Sequence, residues 1–257
     1  MTLGVFPENP SDRRALLVLE QHDIENFSRK GETQLLTDSL THVLACPIIE
    51  DKGNQALSNI LEAGLNRPGT ILIQSPFNLD EYADAVDAIE QFALAKHMFF
   101  SNFCQLLGAT RVAVTQLDIV TNGATQTMRA DGGRLAISVE GSVEHSVKDH
   151  VSSQLSLIDE YVGGDPDLEA AEKLLRSTRL SGDPNMRHLL QARKVIGNPP
   201  TRHMLTVNLS TEANKNLKVL GRLQLPAATF GGEYERALKQ TKEYTLTLEV
   251  LFPGASE

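Results

Sequence analysis

The sequence predicts an α+β fold: a mainly antiparallel sheet with long amphipathic strands, one long helix packed across it, and a helical insertion. Several segments alternate apolar and polar residues with the period of two that marks a strand with one buried face, most clearly Arg134 to Val147. An apolar stripe between Asn78 and Leu107 recurs instead with the helical period of about 3.6. Because the strands follow one another as hairpins and do not alternate with helices, an antiparallel sheet is favoured.

In the N-terminal part of the chain, the sequence predicts two helices and one short strand, and it leaves one segment ambiguous. Asp12 to Phe27 carries leucines at helical spacing, and Gln55 to Ala63 predicts a short helix that ends at Gly64. Thr33 to Ala45 fits a helix or a strand equally well. Thr70 to Gln74, with the sequence TILIQ, is predicted to be a short buried strand.

The long helix and the strand after it have recognisable ends. Asn78 is the predicted N-cap, because its side-chain oxygen can accept a hydrogen bond from an orphan backbone N–H one turn later. Gly108 is the predicted end, since glycine adopts the left-handed conformation that commonly closes a helix. Arg111 to Val120 then predicts a strand. Its apolar residues change parity between Val114 and Leu117, so they share one face only if a β-bulge intervenes.

A block of helices is predicted after the long strands. We expect helices at Val151–Tyr161, Asp167–Leu180 and Asn185–Val195. A Gly-Asp-Pro triplet precedes each of the last two, which predicts Asp as the N-cap and Pro at the first helical position.

The chain is predicted to return to strands at its C-terminal end. Leu205 to Leu225 predicts a hairpin with a polar turn at Thr211–Asn216, Phe230 to Tyr234 a loop, and Tyr244 to Phe252 a final strand. We therefore predict one α+β domain that spans the whole chain. Its segments are a helical part (1–69), a strand, the long helix and long strands (70–150), the helical insertion (151–200), and a hairpin and strand (201–257).

The composition favours a cytoplasmic protein that does not bind nucleic acid. The chain has 257 residues, a net charge of −9 and a pI near 5.3, so it lacks the basic excess that binds phosphate backbones. Its two cysteines, Cys46 and Cys104, are too few for a disulfide framework, which predicts a reduced chain. The N-terminus shows no basic and apolar signal segment.

The sequence contains one dense group of metal-type ligands and no cofactor motif. Phosphate-binding loops, dinucleotide fingerprints, zinc-protease motifs and redox cysteine pairs do not occur in it, so no cofactor is predicted. His145, Asp149 and His150 lie close together, and in a helical turn the first two would share one face and could hold a metal. The same residues can also mark the end of a strand and the cap of the next helix, and this structural interpretation is favoured over a metal site.

Two further sets of residues are candidates for binding a partner. One is a basic patch that could hold a phosphate or an acidic partner, although cations at a helix C-terminus also complement the helix dipole. Its residues are Arg187, His188, Arg193, Lys194, Arg202 and His203. The other is the polar face of the long strand. Its residues are Ser138, Glu140, Ser142 and Glu144.

Three function classes remain open. The favoured one is a non-enzymatic assembly or recognition protein that acts through partner binding or self-association of its antiparallel sheet, because long strand edges pair readily with another chain. The alternative is a membrane-acting, pore-forming-like β-hairpin protein, since a membrane-spanning strand needs only about 9–11 residues. The third is a metal- or nucleotide-dependent enzyme without a recognisable motif.

Overall fold

The computed structural model describes most of the chain: residues 6–30, 39–49, 53–131, 134–137, 155, 157–195, 197–220, 227–239 and 242–254. Within these residues the α+β prediction is confirmed, because seven α-helices accompany two mostly antiparallel sheets. The contacts divide the chain into two compact units, 1–91 with 212–241 and 92–211 with 242–257. The single domain stays a prediction. None of the described helices is both long and apolar enough to cross a membrane.

Helices and strands are numbered in chain order. The helices are α1 (Gln21–Lys30), α2 (Gln55–Glu62), α3 (Ala88–Leu106), α4 (Leu168–Ser177), α5 (Pro184–Arg193), α6 (Thr211–Leu220) and α7 (Ala227–Lys239). The strands are β1 (Ala15–Glu20), β2 (Thr41–Cys46), β3 (Thr70–Gln74), β4 (Tyr82–Asp84), β5 (Arg111–Thr121), β6 (Ala124–Asp131), β7 (Arg134–Ile137), β8 (Ile158–Glu160), β9 (Arg202–Asn208) and β10 (Lys242–Leu251).

The first unit is built around a four-stranded sheet with the order β2-β1-β3-β4. β1 runs parallel to β2 and antiparallel to β3, and β4 is antiparallel to β3. Leu16 of β1, Ile60 of α2 and Leu72 of β3 are fully buried in one core cluster. The predicted helix α2 and strand β3 are confirmed, and Asn54 caps α2 by accepting from the backbone N–H of Leu57.

The helix predicted from Asp12 to Phe27 is wrong over its first half. The leucine-rich run Ala15–Glu20 forms β1, and the helix α1 begins only at Gln21. The first five residues of β1 are all buried, so their pattern has no period that separates a strand from a helix. The segment forms a strand because its backbone pairs with β2 and β3. The ambiguous segment Thr33 to Ala45 contains most of β2, and its residues 33–38 lie outside the described part.

The long helix begins ten residues later than predicted, at Ala88. Asn78 caps no helix, because it lies in a turn in which its Oδ1 accepts from the backbone N–H of Asp80 at 3.2 Å. The chain then forms β4, where the Tyr82 hydroxyl donates to the carbonyl of Arg13 at 3.0 Å. These contacts with a distant segment override the helical periodicity. The end of the helix agrees with the prediction, since Gly108 has a φ of +80°.

The second unit contains a six-stranded sheet in which β7-β6-β5-β10-β9 are neighbours in that order and β8 also pairs with β5. The predicted β-bulge in β5 is confirmed, because the register with β10 shifts at Thr115. The shift brings the apolar residues on either side of it to the same buried face. They are Val112, Val114, Leu117 and Ile119. Asn122 and Gly123 form the turn to β6 with positive φ angles.

The predicted hairpin from Leu205 to Leu225 is half wrong. β9 covers its first strand, but residues 211–220, predicted as the turn and the start of the second strand, form α6, and 221–225 lie outside the described residues. Ala213 and Leu217 are both buried and lie one helical turn apart, which a helix satisfies as well as alternation does. The predicted loop Phe230 to Tyr234 belongs to α7, in which the backbone breaks its helical conformation at Gly231.

The helical insertion is smaller than predicted. Ile158 to Glu160 form strand β8 and no helix, because they pair with β5. α4 is capped by Asp167, two residues after the predicted cap Asp165. α5 follows the prediction, with Asp183 as its N-cap and Pro at the first helical position. Of the long strand predicted from Arg134 to Val147, β7 is described, and 138–147 lie outside the described residues.

Candidate functional site

A groove runs beside the C-terminal half of α3 and the segment that contains β8, within the second unit. It consists of two adjoining pockets of about 420 Å³ and about 390 Å³ that share Tyr161. The first is lined by residues that include His97, Ser101 and Asp159, and the second by Glu160 and its neighbours up to Asp165. We call this feature the α3 groove.

Two elements position the polar side chains of the α3 groove. His97 and Ser101 lie one helical turn apart on α3 and therefore share one face. They interrupt the apolar stripe of the helix, and both are more than nine-tenths buried. Asp159 and Tyr161 alternate along the β8 segment, so their side chains leave the backbone on the same side.

Ser101 connects the carboxylate and the phenol. Its Oγ donates a short hydrogen bond to Oδ2 of Asp159 and lies 2.7 Å from the hydroxyl of Tyr161. Burial raises the pKa of Tyr161, the hydrogen bond with Ser101 opposes this shift, and the charge of Asp159 adds to it. The phenol is therefore neutral at physiological pH. The three side chains fix one another's orientation.

The second pocket has a floor of closely packed backbone. The N–H groups of Tyr161 and Asp167 donate to the carbonyls of Thr110 and Leu106, each at 2.8 Å. Gly108 lies under this segment with a φ of +80°, and a Cβ there would overlap the carbonyl oxygen of Gly164. The groove thus rests on a helix end and a strand, which are the rigid parts of a fold.

Among the described residues that line the α3 groove, Asp159 and Asp165 are acidic and none is a Lys or Arg. Glu160 also lines the second pocket, but it alternates with Asp159 along β8 and is paired with Arg111 of β5. The rim of the groove is apolar, because 63% of Met98 is exposed and Val162 is fully exposed. Such a surface disfavours anions and suits a cationic or neutral polar ligand.

The predicted basic patch is divided among separate contacts. Arg193 is buried, with Nε donating to the Leu107 carbonyl at 3.1 Å and the guanidinium 4.2 Å from the ring centre of Phe252. It therefore holds the end of α3. Arg202 forms an ion pair with Glu249.

The remaining residues of that patch lie around α5. Lys194 forms an ion pair with Glu172 at 2.7 Å, and Arg187 is exposed. The rings of His188 and His203 are 5.5 Å apart, and burial, followed by the charge of His188, lowers the pKa of His203. A binding role for this patch stays a prediction.

The other predicted site residues lie outside the described residues. These are the metal candidates His145, Asp149 and His150 and the strand residues Ser138, Glu140, Ser142 and Glu144. Within the described ranges, no group of three or more His, Cys, Asp or Glu side chains could hold a metal ion.

Sequence reasoning did not find the α3 groove. Its members come from two elements that are more than fifty residues apart, and no motif has that spacing. The one local signal is the pair His97 and Ser101, two polar residues at i and i+4 within an apolar helix. No known protein family, curated protein or solved structure matches this chain.

Proposed function

We propose that this chain is a non-enzymatic recognition protein that binds a segment of a partner protein in the α3 groove. The observation that carries the proposal is the fixed arrangement of Ser101, Asp159 and Tyr161 beside an open groove on a rigid helix and strand. Concave sites with a few convergent polar groups are where ligands bind most often.

Ser101 supports recognition more than catalysis. Ser101 is almost fully buried, and its hydroxyl is engaged by both the carboxylate of Asp159 and the phenol of Tyr161. A serine nucleophile must instead present its oxygen to the substrate. Ser101 therefore acts here as the residue that orients the two side chains which contact a ligand.

The sheet edge is the other candidate surface for association, and β9 forms one edge of the described sheet. The carbonyl of Thr201 accepts from the backbone N–H of Phe252, and the backbone N–H of Leu209 donates to the carbonyl of Tyr244. The odd-numbered residues of this stretch therefore bond toward β10. Because bonding alternates along an antiparallel pair, the even-numbered residues of β9 point their backbone groups to the open edge.

Side chains already occupy part of that edge. The carbonyl of Thr206 accepts from Nδ2 of Asn185 at 2.8 Å, and the carbonyl of Asn208 accepts from Nζ of Lys96 at 2.9 Å. Among the described residues, no side chain caps the stretch around Arg202 and Met204 in this way. Capping an edge in this way opposes edge-to-edge association, so the groove is the better supported surface. In the described residues, no observation favours the membrane-acting alternative.

Selection of displayed peptides tests the proposal. Short random peptides are selected for binding to the full chain, and their affinities are then measured by fluorescence anisotropy. We expect Asn102→Trp, which places a large ring on an exposed position of the groove, to weaken binding at least about tenfold.

Glu25→Trp is the matched control, because Glu25 is an exposed helical residue of the first unit that lines neither pocket. It should leave the affinity unchanged. Failure to select any peptide would contradict the proposal, and so would peptides that bind equally well to wild type and Asn102→Trp.

A further inference from the structure

The acidic lining of the α3 groove restricts the chemistry of its occupant. Asp159 and Asp165 contribute carboxylates, and the whole chain carries a net charge of −9. A phosphate or an acidic segment would be repelled at both positions. A cation would be attracted to the groove from a distance and would pair with a carboxylate once it is bound.

Asp159 and Tyr161 together offer two contacts to a cationic side chain, a carboxylate and an aromatic ring. The two side chains lie on the same side of their segment, and Ser101 binds both of them. A cation that pairs with the carboxylate can also contact the face of the neighbouring aromatic ring, which attracts positive charge. Because the phenol is neutral, it adds this attraction without requiring a counter-ion.

The shape of the groove favours a peptide segment over a free small molecule. Two pockets follow one another along α3, and both are open to solvent on one side. Sites for small molecules enclose most of their ligand. The exposed Met98 and Val162 at the rim offer apolar contacts to residues on either side of a cationic side chain.

We infer that the occupant of the α3 groove is a partner segment that carries arginine or lysine, with its cationic group bound between Asp159 and Tyr161. This inference rests on the proposed function and specifies the class of partner. Arginine suits the site particularly well, because its planar guanidinium both pairs with a carboxylate and stacks on an aromatic ring.

The test compares three synthetic peptides of equal length that differ at one position, which holds arginine, citrulline or glutamate. Citrulline has nearly the shape of arginine without its charge. We expect the arginine peptide to bind at least about tenfold more tightly than either of the others, and added salt to weaken its binding.

Two variants locate the interaction. Asp159→Asn keeps an oxygen that can accept from Ser101 but removes the charge, so it should abolish the preference for arginine. Asp165→Asn changes an exposed residue of the second pocket and should reduce that preference even if the first variant fails to fold. Glu25→Gln is the control for the same change of charge elsewhere in the chain and should have no effect.

The outcomes separate this inference from the proposed function. Equal binding of the arginine and citrulline peptides, still blocked by Asn102→Trp, would overturn the inference and leave recognition in the groove intact. Preference for arginine that survives both Asp159→Asn and Asp165→Asn would also overturn it. If no peptide shows binding that Asn102→Trp weakens, both the inference and the proposed function are wrong.

Discussion

Among single residues, Lys96 and Asp183 form a buried ion pair in the second unit. Their side chains are 2% and 6% exposed, and Nζ lies 2.9 Å from Oδ2. Nζ also donates to the Asn208 carbonyl, while Oδ1 of Asp183 accepts from the backbone N–H of Met186 in the first turn of α5. The carboxylate thus serves as an N-cap and as the counter-charge of a buried lysine at once.

Asp183→Asn separates these two roles. Asparagine caps a helix as well as aspartate does, but it leaves the ammonium of Lys96 buried without its counter-charge. We expect a loss of about 3–5 kcal/mol in the free energy of unfolding, measured by chemical denaturation. Asp167→Asn makes the same change at the exposed N-cap of α4 and should have little effect. Similar losses for the two variants would contradict the importance of the buried charge.

His203 should make stability depend on pH. Burial and the charge of His188 lower the pKa of His203 in the folded state below its usual value of 6.5. The unfolded chain therefore binds the proton more readily, so this contribution to stability is present above about pH 6.5 and is lost as the pH falls through the folded pKa. His203→Gln should flatten the decline in melting temperature on the acidic side. An unchanged decline in the variant would assign the effect to other groups.

At the scale of elements, the end of α3 depends on a glycine for two reasons. Gly64 and Gly108 each follow a helix and each have a positive φ angle. Of the two, a Cβ would overlap another segment at Gly108, where it would meet the carbonyl of Gly164. Gly64→Ala should cost about 1–2 kcal/mol for its backbone conformation alone. Gly108→Ala should cost a further ~1–3 kcal/mol, because the segment above it must move.

Thermal or chemical denaturation of both variants checks this prediction. Gly64→Ala is the control for backbone strain, since nothing lies within 4 Å of its added Cβ. Equal destabilisation of the two variants would mean that the close approach of the chain to Gly108 costs nothing to relieve.

At the scale of the whole molecule, neither unit is a continuous stretch of chain. The second unit takes β10 from the last residues, and β10 lies between β5 and β9 in the sheet. Its inward residues Tyr244, Leu246, Leu248 and Val250 are completely buried. A chain shortened to residues 1–241 therefore lacks a central strand and the core that this strand provides.

The two cysteines report on this dependence. Cys104 is fully buried in the second unit and Cys46 is partly exposed in the first. Burial also raises the pKa of the Cys104 thiol well above its usual value, which slows alkylation further. Mass spectrometry should show alkylation of Cys46 alone in the native chain, and of Cys104 as well after truncation to 1–241. Protection of Cys104 in the truncated chain would show that its core forms without β10.

Local sequence patterns were enough to predict the α+β class and the features that depend on neighbours along the chain. The alternation of β5 and β10, the bulge at Thr115, the cap at Asp183 and the helix end at Gly108 all follow from local rules. Each of these signals lies within a few residues, where side-chain periodicity and backbone preference act directly.

Long-range contacts fix the conformation of elements whose sequences suit both a helix and a strand, and they also form the α3 groove. β1 is buried along nearly its whole length, so its pattern has no period, and pairing with β2 and β3 makes it a strand. Asn78 to Asp84 could continue a helix, but Tyr82 binds the distant Arg13 instead. Ser101 and Asp159 are 58 residues apart and meet where β8 pairs with β5, and a contact between such distant residues leaves no periodic signal in the sequence.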